Sequence, residues 1–268
     1  MKRLYTLLLT LGLLLVLTLT ASGAGNGVRI FVNGTPLDAP ASYISAGGTT
    51  MVPLRAIAEA LGCTVAWDPA TATVSISSLP EDAAPDGSPL VVLDPGHGGD
   101  HNGAEYGGVK EKDLNLAIAS KTASLLEAEG VTVRMTRSID QDVDLYARSG
   151  LANTLGADLF VSVHCNASRN NAEAMGIYTA AYQEETGGWS LAELLRQTMM
   201  DETGAGDMGT EPRPNLAVLR TSQMPAALVE CGYMSTEAEL ALLTDPDYQA
   251  GLARGIARGV LTFLTQND

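Results

Sequence analysis

The chain has 268 residues, 46% of them hydrophobic and only 18% charged, which is too apolar and too weakly charged for a disordered polymer. Sixteen Lys and Arg against 31 Asp and Glu give a formal charge of −15, and no run of cations follows the first three residues. Nucleic-acid binding through a basic surface is therefore excluded, and at ~150 residues per domain the length suits one or two globular domains.

The amino terminus reads as an export signal. Lys2 and Arg3 precede a nearly uncharged stretch from Leu4 to Ala21, and small residues Ala21, Ser22, Gly23 and Ala24 close it. Thr6, Thr10, Thr18 and Thr20 make it a poor permanent span, which prefers ~20 strongly apolar residues. The expectation is a signal peptide over residues 1–24 and a secreted protein with no stable membrane span after cleavage. Removing two cations and no anions takes the charge from −15 to −17. The cysteines, Cys63, Cys165 and Cys231, are odd in number and form no disulfide framework. They read as buried thiols, with a bond between Cys165 and Cys231 as the alternative.

Val28 to Val32 alternates in polarity, and Asn33-Gly34 makes a turn. A short helix from Ala56 stops at Gly62, and two more strand-like runs, Cys63 to Trp67 and Thr71 to Ser77, flank Asp68-Pro69. This predicts a small α+β module over residues 28–78. Its wording, VNGTPL and then TTMVPLRAIAEALGCTVAWD, resembles the copper-amine-oxidase N-terminal-like domain, though no ligand set for copper is visible. The resemblance implies an accessory role. Residues 79–89 (LPEDAAPDGSP) have the composition of a solvated linker.

From Leu90 onward, apolar strand-like runs alternate with amphipathic helical ones. The runs are Leu90–Leu93, Leu114–Ala128, Val131–Met135, Leu145–Leu155, Leu159–Val163, Leu191–Met200, Leu216–Leu219, Ala226–Val229 and a final helix near Tyr248–Leu264. The pattern predicts an α/β domain over residues 90–268 with a mostly parallel sheet flanked by helices, and ligand sites at the carboxyl ends of its strands. The polar, Gly-rich segment Asp201–Pro214 is expected to be a loop bordering the cleft.

Two of the three histidines, His97 and His164, directly follow buried strand runs (VVLDPGHGG and LFVSVHCN). Neutral imidazole is the commonest zinc ligand, so two such positions in one sheet suggest a metal pair. Glu111, fourteen residues after His97, is the best third ligand, although a first helical turn also favours an acid and Asp113 competes for that place. Glu230 ends the apolar run PAALVE, where an unpaired carboxylate is costly. With His97, Glu111 and His164 completing a two-His, one-Glu set, Glu230 is assigned as general base and acid. His101 reads as a solvated loop residue, and Arg213, Arg220 and Asn166 are candidates either for substrate contact or for support of the fold.

The ordered motifs LDPGHGG, GVKEKDLNLAIA, VTVRMTR, DLYARSGLAN, ADLFVSVHCNAS, NLAVLR and PAALVECGYMS resemble the zinc-dependent N-acetylmuramoyl-L-alanine amidases of the amidase 3 family, over residues 90–264. The resemblance implies an α/β fold, one Zn2+ held by His97, Glu111 and His164, and a catalytic Glu230. It also implies peptidoglycan as substrate, cut at the amide between N-acetylmuramic acid and L-alanine. A monomer located in the cell wall is expected. A carboxypeptidase-like zinc hydrolase and a non-catalytic wall-binding protein are the rivals; the second should lack one of the four residues, and none is missing. The inhibitory helix that covers the site in some relatives is not identified in Met175–Trp189, which is short.

Overall fold

The computed structural model describes residues 28–32, 35–37, 42–45, 47–61, 63–68, 72–78, 87–171 and 173–266. The expected signal peptide and most of the linker lie outside the described residues. The amino-terminal part has strands β1 (Ile30–Val32), β2 (Thr35–Leu37), β3 (Tyr43–Ile44) and β4 (Thr50–Met51). Helix α1 (Leu54–Ala60) and strands β5 (Cys63–Asp68) and β6 (Thr73–Ser78) follow. The strands pair as three antiparallel ribbons. Helix α1 buries Ala56 and Ala60 against Leu37, and Tyr146 from the larger domain packs on the same cluster.

The larger domain opens with β7 (Leu90–Pro95), the small ribbon β8 (Glu105–Tyr106) and β9 (Val109–Lys110), α2 (Glu111–Ala128) and β10 (Thr132–Met135). It continues through α3 (Leu145–Leu155), β11 (Leu159–Asn166), β12 (Ile177–Ala181), α4 (Gly187–Thr203) and β13 (Asp207–Pro212). Then come α5 (Ala217–Arg220), β14 (Ala226–Tyr233), α6 (Glu237–Leu243) and α7 (Pro246–Gln266). The six-stranded sheet has the order β10-β7-β11-β14-β12-β13. Its first four strands are mutually parallel, and β12 runs antiparallel to β14.

The central strands are buried and mostly apolar because helices cover both faces. Residues at alternate positions serve different cores, as the two-residue repeat of a strand requires. Val91, Leu93, Val161 and Val229 join α2, α4 and α7, through Ile118, Leu195 and Ile256. Val92, Phe160 and Leu228 join α3 and α5 on the opposite face, through Leu151 and Val218. Asp144 caps α3 by accepting the Tyr146 N–H at 2.9 Å, and Gly156 ends it in the left-handed conformation. Thr154 on α3 donates to the Ala60 carbonyl at 2.9 Å, which joins the small module to the large domain.

Two local readings are corrected. Leu216–Leu219, expected as a strand, lies in the one-turn helix α5; a four-residue apolar run carries no period that separates the two forms. Asp201–Pro214, expected as a loop, contains the edge strand β13. An edge strand with one solvated face needs no apolar residues, and its hydrogen bonds come from β12. No helix among the described residues is long and apolar enough to cross a membrane.

Candidate active site

The chain leaves β7 for β10 on one side and later returns to β11 on the other, so the sheet's topological switch point lies between β7 and β11. Ligand crevices form outside the carboxyl ends of strands at such points. His97 follows β7, and His164 stands near the end of β11.

The position of His97 begins with Asp94, which is fully buried at the end of β7. Its carboxylate accepts from Thr136 Oγ1 at 2.6 Å, Ser162 Oγ at 2.7 Å and Arg148 Nη1 at 2.8 Å. Burial alone would raise its pKa; the Arg148 charge and these hydrogen bonds outweigh that, and the net shift is downward. Beyond Asp94, two buried arginines hold successive backbone carbonyls. Arg137 donates to Pro95 at 2.9 Å and Gly96 at 2.9 Å, and Arg148 to Pro95 at 3.0 Å and His97 at 2.9 Å. His97 adopts φ +61°, a left-handed conformation that non-glycine residues keep only when their surroundings impose it. Arg137 also donates to the Lys112 carbonyl at 2.7 Å, tying the His97 loop to the first turn of α2.

Glu111 begins α2 and is 5% exposed. Its Oε2 lies 3.1 Å from His97 Nε2, and its Oε1 lies 2.9 Å from His164 Nδ1. The Ala104 N–H at 2.8 Å, Asn115 Nδ2 at 3.2 Å and the Cys165 N–H at 3.3 Å fix the carboxylate from behind. Burial pushes its pKa up, but hydrogen bonds and charge from His164 and His97 hold it well below the usual carboxylate range. The two imidazoles meet edge to face with centroids 5.0 Å apart. Ligand atoms of His97, Glu111 and His164 all lie within 4.8 Å of one another, a group that can hold a metal ion. Both histidine side chains remain partly exposed, at 32% and 20%, so the group opens to solvent on one side.

The cluster leaves no room for side chains on two nearby glycines. A Cβ on Gly96 would lie 2.1 Å from His164 Cε1, and one on Gly103 would lie 2.4 Å from Glu111 Oε2.

Glu230 is the register partner of His164 across β11 and β14, and of Tyr178 across β12 and β14. Its Oε2 is shut off from solvent and has no hydrogen-bond partner among the described residues. Burial and then the Glu111 charge raise its pKa well above the ordinary value, opposed by Arg213. Two neighbouring carboxyl groups thus have opposite environments.

All four residues expected from the sequence come together here. His101 stays apart, solvent-exposed and 3.0 Å from Asp142. Asn166 accepts its neighbour's N–H, Arg220 donates to the Asn215 carbonyl, and Arg213 alone of these three influences Glu230. Cys165 and Cys231 are free, buried thiols in the core. Sequence reasoning passed over Arg137, Arg148, Asp94 and Asn115 as functional supports. The available signal was weak: Arg137 directly follows the strand-like run VTVRMT, and Arg148 lies within the helical run LYARSGLA.

Fold and site together define an α/β domain with a group able to hold a metal beside a buried carboxyl. Residues 91–262 match the family described as N-acetylmuramoyl-L-alanine amidase, and residues 28–82 match the copper amine oxidase N-terminal domain. An endolysin of Bacillus phage SPP1 is 36% identical over 184 residues, covering 66% of this chain and 66% of that protein. The sporulation-specific N-acetylmuramoyl-L-alanine amidase of Bacillus subtilis (strain 168) is 34% identical over 172 residues, covering 63% of this chain and 66% of its own. The match thus spans just under two thirds of the length of these curated relatives. The crystal structure of N-acetylmuramoyl-L-alanine amidase from Clostridium difficile 630 superposes with a TM-score of 0.65 at 38% identity, covering 68% of this chain and 99% of that one. The chain belongs to the N-acetylmuramoyl-L-alanine amidase family.

Proposed function

We propose that the protein hydrolyses the amide between N-acetylmuramic acid and the L-alanine of the peptidoglycan stem peptide, with one zinc ion held by His97, Glu111 and His164. The observation that carries this reading is the gathering of those three side chains within 4.8 Å, opposite a carboxyl in register with His164. Two neutral imidazoles and one carboxylate are the donor set of many catalytic zinc sites. When bound, zinc lowers the pKa of water and polarises a carbonyl oxygen. Glu230 supplies the proton movements: it takes a proton from the attacking water and returns it to the leaving amine as the C–N bond breaks. Its Oε2, buried and without a hydrogen-bond partner among the described residues, is free to take up and give back a proton.

The protein acts outside the cell, associated with the cell wall, after removal of the amino-terminal signal. At −17 the mature chain is repelled by anionic wall polymers at low salt, so attachment rests on short-range contacts of the cleft or the small module. Mass spectrometry of digested cell walls tests the activity. New free amino-terminal L-alanine supports the amidase, and released D-alanine would support a carboxypeptidase instead. His164→Ala should lose the metal; stoichiometric zinc in that variant would break the ligand assignment.

A further inference from the structure

We propose that Arg213 is the subsite for a carboxylate carried by the stem peptide next to the scissile bond, an inference that rests on the amidase reading above. Arg213 follows edge strand β13, and its backbone N–H donates to the Ala181 carbonyl at 2.7 Å, which anchors it to β12. Its Nη1 makes a long contact of 3.4 Å with Tyr178 Oη, which in turn donates to Glu211 Oε2 at 3.3 Å. Tyr178 is the register partner of Glu230 on the neighbouring strand, which ties Arg213 to a residue across from the proposed general base.

The guanidinium is exposed and forms no ion pair among the described residues. Arg213 is also the positive group that opposes the negative surroundings of Glu230. A cleft containing Glu111 and Glu230 in an acidic protein repels an anionic ligand unless a cation is placed to receive it. The muramic acid side offers no anion near the bond, because its lactyl carboxyl is consumed in the amide. A free carboxylate near the bond must therefore come from the peptide, and the planar fork of arginine takes a carboxylate through two parallel hydrogen bonds.

The test compares two synthetic substrates, N-acetylmuramoyl-L-alanyl dipeptides whose second residue carries either a free carboxylate or the matching carboxamide. The parent should prefer the carboxylate by about tenfold or more in kcat/KM, chiefly through KM, as befits a charge-assisted contact. R213Q should bring that ratio to about one, with R213K in between. A parent ratio near one, or an R213Q that loses equally on both substrates, overturns the inference. Calorimetric binding of the two peptide products reads the same ratio if R213Q turns over too slowly. A parent that hydrolyses neither substrate overturns the amidase reading itself, which separates the two failures.

Discussion

His164 and Glu230 stand directly opposite one another on the parallel strands β11 and β14, so an imidazole and a carboxyl reach the same end of the sheet side by side. Glu111 on the far side of His164 is gripped by donors, whereas Glu230 has an oxygen with none. In the proposed mechanism that difference divides the work: Glu111 would serve as an ionised ligand and Glu230 would move the proton.

Glu230→Gln keeps the shape and removes the proton acceptor. Hydrolysis of purified peptidoglycan should fall by roughly 10²- to 10⁴-fold while zinc content stays at the parental level. Parental turnover in this variant, measured by amine release, would remove Glu230 from the mechanism.

Arg137→Lys keeps a charge but cannot span the carbonyls of Pro95, Gly96 and Lys112 at once. Because those carbonyls flank both His97 and Glu111, metal affinity should drop about 10- to 100-fold, as outer supports of metal ligands typically do. Competition with a chelator measures this, and an unchanged zinc affinity would show that the ligands are held without Arg137.

Gly103 has φ +71°, and a methyl there would press on Glu111 Oε2 and on His97 Cδ2, 2.6 Å away. Gly103→Ala should therefore reduce bound zinc well before it unfolds the domain. Metal analysis beside a melting curve separates these effects; full zinc occupancy with a lowered melting temperature would contradict the expectation.

Asp94 contributes to acid stability. Its folded pKa lies below the free value of 3.8, so its contribution is complete above about pH 4 and is lost as pH falls through the folded value. Asp94→Asn leaves Arg148 buried without its partner and should cost about 3–5 kcal/mol near neutral pH. Urea midpoints at pH 7 and pH 3 should differ less in the variant than in the parent; an equal or larger difference would assign the acid sensitivity elsewhere.

Much of the larger domain is legible in the chain because buried parallel strands must be continuously apolar and their helices amphipathic. VVLDPGHGG and LFVSVHCN announce two histidines at strand ends, and PAALVE announces a carboxylate where burial is expensive. The edge strand β13 and the turn α5 were not legible: one faces water and takes its partner from β12, and the other is too short to show a period.

By themselves, the residues determined the donor types, their order and the strands that deliver them, since these depend on local polarity and spacing. Only the tertiary structure decided that Glu111 turns inward rather than capping its helix, because that choice depends on Ala104, Asn115 and two histidines distant in the chain. It also decided that Arg137 and Arg148 hold the ligand loops, and that the charge of Arg213, not that of Arg220, acts on Glu230. Such contacts join segments tens of residues apart, and no local pattern encodes which buried cation meets which carbonyl.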